Sequence, residues 1–98
     1  MALTIRLTPL AVSDLAAIRG YLMRQSPKGA ENVRRAIAAT IDRLAEFPGI
    51  GRATHLATIQ VVMADKYPFR IYYKVINDDL IIVHVRHAAR RRPKSLPG

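Results

Sequence analysis

The side chains best suited to chemistry in this chain are cationic. Arg86, Arg90, Arg91, Arg92 and Lys94 crowd its C-terminal end, and no acidic residue follows Asp79. Such a run is either a solvated tail or a patch that engages phosphate or an acidic protein segment. Because it adjoins a strand-forming segment carrying His84 and Arg86, the patch is the favoured reading. Arg90 is its expected structured member, with Arg91 and Arg92 as mobile electrostatic contacts. Arg70 lies between strand-forming apolar residues. On an open sheet face its guanidinium fork would suit a carboxylate or phosphate; a cross-strand ion pair with a residue such as Asp65 is the competing assignment.

Metal-free RNA cleavage needs a base for the 2′-hydroxyl, an acid for the leaving oxygen, and cations around the charge of the transition state. His87 could serve as acid or base, Arg70 and Arg90 could hold the phosphate, and Tyr67, Tyr72 or Tyr73 could move a proton. No spacing forces these groups together, and a histidine bonded to backbone at a strand end is the plainer assignment for His87. Tyr72 and Tyr73 must point to opposite faces of a strand, so they cannot share one surface. Asp14, Glu31 and Asp42 are spread along helical segments, which disfavours a paired-carboxylate or two-metal nuclease. The chain has no cysteine and three scattered histidines, His55, His84 and His87. No metal, cofactor or thiol nucleophile is expected.

These groups must be positioned by 98 residues, of which 50% are hydrophobic, under a formal net charge of +9 from 16 Lys+Arg and 7 Asp+Glu. That composition is too apolar for a disordered basic tail and too short for two cores, so residues 1–98 read as one domain with a basic tail at about 90–98. The N-terminus lacks a basic start followed by an apolar run, and no segment is apolar enough to span a bilayer; the expected compartment is the cytoplasm, without a membrane partner.

Leu3, Ile5 and Leu7 alternate with Thr4 and Arg6, the pattern of a half-buried strand. Thr8-Pro9 then signals a helix start, and Ala11, Leu15, Ile18 and Leu22 give a helical stripe to Met23 or Arg24, with Tyr21 expected between helices. Ser26-Pro27 repeats the signal, and Ala30, Val33, Ile37, Ile41 and Leu44 form a longer stripe that ends at Pro48-Gly49. The two helices form an antiparallel hairpin joined near Gln25. Leu56–Ala64 reads as a strand, as do Phe69–Val75 and Leu80–Val85, the last two linked by a turn at Asn77-Asp78-Asp79. Ile81, Val83 and Val85 are placed toward the helices and His84 and Arg86 away from them, although the unbroken apolar run at 80–83 also permits another phase. The order is β-α-α-β-β-β, an α+β fold with the hairpin packed on a small, mainly antiparallel sheet.

Four segments, LTPLAVSDLAAIRGYL, IDRLAEFPGIGR, YPFRIYYKV and VRHAARRRP, in this order, resemble the RelE/ParE superfamily of type II toxin–antitoxin toxins, and most of all its ParE branch. The resemblance covers residues 3–93 and implies the same helical hairpin on an antiparallel sheet. It also implies one of two activities. RelE-like toxins cut mRNA on the ribosome with a basic pair on the strand before the sheet hairpin, two arginines and a C-terminal tyrosine. Arg70 and Arg90 match the arginines, but the strand reads IQVVMAD and no tyrosine follows Arg90. A ribonuclease built here would need His87 and Tyr67 as substitutes. ParE-type toxins instead interfere with DNA gyrase without being nucleases, and this is the leading expectation, with Arg70, Arg86, Arg90, Arg91 and Arg92 binding the target. The resemblance further implies a cognate antitoxin that offsets the positive charge, with Tyr21, Leu22, Met23 and Arg52 as candidate contacts. A stand-alone nucleic-acid-binding module is disfavoured, since neither a helix-turn-helix cue nor an aromatic–basic stripe is present.

Overall fold

Both helices begin where a hydroxyl precedes proline. In a computed structural model that describes residues 2–88, the elements are β1 (Thr4–Leu7), α1 (Pro9–Gln25), α2 (Pro27–Glu46), β2 (Arg52–Ala53), β3 (Gln60–Met63), β4 (Phe69–Ile76) and β5 (Asp79–His87), with a 3-10 turn at Pro48–Ile50. The tail of about 90–98, including Arg90, Arg91 and Arg92, lies outside the described residues. Thr8 Oγ1 accepts the Ala11 N–H at 3.0 Å to open α1. Ser26 serves both helices: its N–H donates to the Leu22 carbonyl at 2.8 Å, and its Oγ accepts the Gly29 N–H at 3.1 Å. A single residue therefore turns the chain through the hairpin.

The second stripe is buried as expected: Val33, Ile37, Ile41 and Leu44 join the core cluster with the sheet, and Ala30 is buried as well. Thr40, fully buried in the same helix, donates to the Ala36 carbonyl at 2.8 Å and accepts the Asp65 N–H at 3.2 Å, tying α2 to the β3–β4 connection. Only Ala11 of α1 is fully buried; Leu15, Ile18 and Leu22 are partly covered. Tyr21 does not pack between the helices but is 48% exposed, because Leu22 takes the inward position and the next residue on the turn faces away. Among the described residues no helix is long and apolar enough to cross a membrane.

The sheet order is β1-β5-β4-β3-β2, with β1 parallel to β5 and every other neighbouring pair antiparallel. The α+β architecture is as expected, with two refinements at its far edge. The strand expected over 56–64 is confined to Gln60–Met63, and the chain before it supplies the short β2. Thr54 explains the interruption: Oγ1 donates to the Ile59 carbonyl at 2.8 Å and accepts the Leu56 N–H at 3.1 Å, folding 54–59 into a loop. Asn77, with φ of 53°, closes the β4–β5 hairpin in a two-residue turn between Ile76 and Asp79.

The phase of β5 changes along its length. Leu80 and Ile82 pack toward the helices, while Ile81 and Val83 belong to an apolar cluster on the opposite, outer face with Ile59 and Tyr72. The register passes from Tyr73↔Ile82 to Tyr72↔His84, so Val83 is the extra residue of a β-bulge. Beyond it Val85 faces the helices and His84 and Arg86 the outer side, as expected. The expectation for Ile81 and Val83 is corrected: strict alternation carried back from Val85 misses the residue that the bulge inserts.

Candidate functional site

The outer face of the sheet collects the cations. Antiparallel partners share a face, so the register puts Arg52, Val61, Tyr72 and His84 in one row and Met63, Arg70 and Arg86 in the next. Arg52 and Arg70 line a cleft of about 360 Å³ with Thr54, His55, Val61 and Tyr72. Neither arginine is in an ion pair among the described residues, and the pairing of Arg70 with Asp65 does not form. Strands β2, β3 and β4 contain no acidic residue, and Asp79 of β5 is bonded to Arg6 at 3.0 Å. The charges of Arg52 and Arg70 are therefore unopposed by a paired carboxylate among the described residues.

Arg52 is anchored from below. The hydroxyl of Tyr73, a fully buried residue, accepts the Gly51 N–H at 3.0 Å and donates to the Pro48 carbonyl at 2.6 Å. Burial raises the Tyr73 phenol above its ordinary pKa, with the Gly51 N–H acting in the opposite sense. A Cβ on Gly51 would lie 2.3 Å from the Tyr73 oxygen, so glycine is required for this close approach.

A second constellation joins α1 to β5. Strand β1 ends at Leu7, opposite Ile82, and among the described residues the rest of that edge of β5 has no strand partner. Thr8 continues the pairing, its N–H donating to the Ile82 carbonyl at 3.0 Å and its hydroxyl to the Val83 carbonyl at 2.7 Å. Asp14 then accepts the Val85 N–H at 3.0 Å and lies 2.6 Å from His84 Nδ1, while the His84 ring stacks on Tyr72 with centroids 5.8 Å apart. An ionised carboxylate only accepts, so Nδ1 carries the proton in this contact. Asp14 is thus the side chain that satisfies the bare edge. The sequence reading of Asp14 as one of three carboxylates spread along helical segments did not foresee this. The available signal was its place four residues before Ile18 and seven before Tyr21, which puts all three on one side of α1.

Two apolar grooves flank α1. One, of about 410 Å³, is lined by Ile5 and Leu7 of β1 together with Leu15, Leu22, Ile37 and Ile41 of the helices. The other, of about 440 Å³, lies between α1 and the end of the sheet and includes Tyr21, Leu22, Tyr67, Phe69 and His87. Leu22 lines both, Tyr21 the second only, and Met23 stands exposed on the same helix. Arg52 is not with them; it sits across the sheet beside Arg70. The ribonuclease set is divided too. His87 packs edge-on against Phe69 at 5.2 Å in the second groove, near Tyr67, whereas Arg70 opens on the outer face. Arg86, which the register pairs with Arg70, is 7% exposed and lines the second groove with His87 rather than the cleft of Arg52 and Arg70. Among the described residues no group of three or more His, Cys, Asp or Glu side chains could hold a metal.

The chain is similar to known proteins along most of its length. The chain is 37% identical to the toxin RelE2 of Caulobacter vibrioides over 82% of this chain and 89% of that protein, and 36% identical to the putative toxin Y4kP of Sinorhizobium fredii over 94% and 95%. Among solved structures it resembles a chain of the chromosomal ParDE toxin–antitoxin system of P. aeruginosa, with a TM-score of 0.75 at 20% identity over 88% of this chain and 96% of that one. A chain of the RelBE2 toxin–antitoxin complex from Mycobacterium tuberculosis gives 0.59 at 21% over 89% and 99%. At these identities the likeness is one of fold. The family described as the ParE toxin of the type II toxin–antitoxin system parDE matches residues 5–92, and with the sheet, the hairpin and the curated relatives in agreement, the chain belongs to that family, within the RelE/ParE superfamily of toxins.

Proposed function

We propose that this toxin acts on DNA gyrase, stabilising its cleaved-DNA state, and that a cognate antitoxin neutralises it. The observation that carries the reading is the division of the ionisable groups between the two faces. A ribonuclease must bring acid, base and cations to one phosphate within a few ångströms. Here Arg70 opens outward, while His87 and Tyr67 line the groove under α1. Strand β3, QVVM, also offers no basic pair to activate a phosphate. What remains on the outer face is a binding surface for an anionic target, led by Arg70; Arg86 on the adjoining strand and Arg90, Arg91 and Arg92 of the basic tail are the further target contacts in this reading. Gyrase as the target comes from the ParE resemblance.

The antitoxin reading is supported by the apolar grooves beside α1. Exposed Ile5, Leu7, Tyr21 and Met23 leave the helical margin under-covered for a chain this small. An amphipathic segment laid along α1 would bury Tyr21 and Leu22 and could offset part of the +9 charge.

Purified toxin is given gyrase, supercoiled DNA and ATP in one assay and translating ribosomes with mRNA in another. Gyrase-dependent cleaved DNA with intact mRNA is the expected result. Codon-specific mRNA cuts without any gyrase effect would replace this reading with the RelE-like one.

A further inference from the structure

We propose that the Arg52–Arg70 cleft is a phosphodiester site through which the toxin holds duplex DNA directly, by its backbone and without regard to sequence. The inference rests on the reading of the outer face as the target-binding surface and names what that face grips.

Three observations point to it. First, the cleft is built before any ligand arrives. Gly51 is tethered to the buried Tyr73 hydroxyl, the following Arg52 is paired across to Val61, and the Thr54 hydroxyl bonds pin the loop that carries His55. Arg70 enters from the centre of the sheet, on the middle strand of the β3-β4-β5 set. The two arginines, held on β2 and β4, have backbones roughly 12 Å apart, two strands across at about 4.8 Å each and two residues along at about 3.3 Å each. Second, neither Arg52 nor Arg70 has an ion-pair partner among the described residues, so the cleft holds two guanidinium charges that no carboxylate offsets. Third, the tyrosine of the cleft is unavailable to a base: Tyr72 is 4% exposed and already stacked on His84. Single strands are held largely by bases stacking on open aromatic faces, and among the described residues lining this cleft only the smaller ring of His55 is left for that.

Charge density favours a duplex over an acidic polypeptide. B-DNA carries one negative charge per about 1.7 Å of axis, whereas an extended chain of nothing but acidic residues carries one per roughly 3.3 Å. A polycation of this kind gains more from counterion release on the duplex. The guanidinium fork also matches two phosphate oxygens, so both arginines can be bidentate.

The test uses the full chain and fluorescence anisotropy with a labelled DNA duplex, the corresponding single strand and polyglutamate, between about 50 and 200 mM salt. Wild-type toxin should prefer the duplex, and R52A/R70A should weaken duplex binding at least about tenfold and flatten the plot of log affinity against log salt by about one per arginine. The control K28A/R43A removes the same charge from α2 and should change affinity far less. Circular dichroism and thermal melting establish that each variant is folded; R52K/R70K, which keeps charge but loses the fork, should recover only part of the affinity. Equal losses in the two double-alanine variants, or polyglutamate bound as tightly as duplex, would overturn the site. The gyrase assay is read separately. Trapping of cleaved DNA that persists undiminished in R52A/R70A refutes the role of this cleft and leaves gyrase as the target. Absence of any gyrase effect from wild-type toxin refutes the gyrase reading, and the anisotropy series still decides the site.

Discussion

Replacing Tyr73 with phenylalanine removes one oxygen and tests how the α2 exit is held on the sheet. In the wild type that oxygen makes two bonds, from the Gly51 N–H at 3.0 Å and to the Pro48 carbonyl at 2.6 Å, under a residue with no exposed surface. Each bond contributes roughly 0.5–1.5 kcal/mol net, and a buried partner left unsatisfied costs about 1–3 kcal/mol. Pro48 and Gly51 are only partly buried, so water can recover some of that, and we expect a loss of about 2 kcal/mol. For a chain of this size each kcal/mol moves the midpoint by about 4–8 °C, so Tm should fall by roughly 8–16 °C. Urea unfolding at neutral pH measures the first figure and calorimetry the second. The pH dependence supplies an independent check. Burial raises the folded Tyr73 pKa above the ordinary value of 10.0. Below that value both states keep the proton and its contribution is complete. As pH rises past it, the unfolded chain ionises while the folded one does not, so stability falls until the raised folded pKa is passed. The wild-type minus Y73F difference should shrink across that window. The same oxygen is the nearest neighbour of a Cβ at Gly51, so Gly51→Ala should cost less in the Y73F background than in the wild type. A Y73F variant within about 0.5 kcal/mol of wild type, with an unchanged alkaline limb, would refute the latch.

Asp14→Ala removes the acceptor for the Val85 N–H and the partner of His84; a loss of about 1–3 kcal/mol is expected in urea, with faster hydrogen exchange at Val85, and unaltered exchange there would count against the edge clamp. Leu44→Ala empties a fully buried position beneath the sheet and should cost about 2–5 kcal/mol, measured by thermal melting; a loss below 1 kcal/mol would mean that the site collapses around the void. The Glu31 carboxyl is held at about 2, chiefly by its hydrogen bonds from Arg34 at 2.7 and 2.8 Å, with charge from Arg34 and Arg35 adding to this. Its contribution is present above pH 4.5 and lost as pH falls through about 2. Carbon-detected NMR titration should place the midpoint there, and Arg34→Ala should return it toward the ordinary carboxylate range; the pair is exposed, so high salt should do much the same.

The parts of the fold that could be read along the chain are those governed by near neighbours. Thr8-Pro9 and Ser26-Pro27 marked both helix starts because a cap hydroxyl and a fixed proline φ act within one turn. The five-residue stripe of α2 was legible because burial of one helical face repeats with the helical period. Tyr21 misled for the opposite reason: it stands beside Leu22, and only the covering sheet decides which of two adjacent apolar residues turns inward. The bulge at Val83 was hidden inside an apolar run that suits either phase, so its position depends on the pairing with β4.

The candidate site divides along the same line. Residue types and order were enough to give the α+β class and the cationic character, since composition and local periodicity are properties of the chain itself, and the superfamily followed from the resemblance of four ordered segments. Arg52 joined Arg70, rather than Tyr21 and Leu22, because β2 pairs with β3 and the Gly51–Tyr73 bond seats the turn before it. Asp14 became the clamp of a strand more than seventy residues away because β1 stops short of the end of β5 and leaves backbone donors to be met. His87 and Arg70, near partners on paired strands, were sent to opposite faces by the pleat. Such outcomes depend on which strands become neighbours, and that is settled when the hairpin packs onto the sheet and the whole core closes.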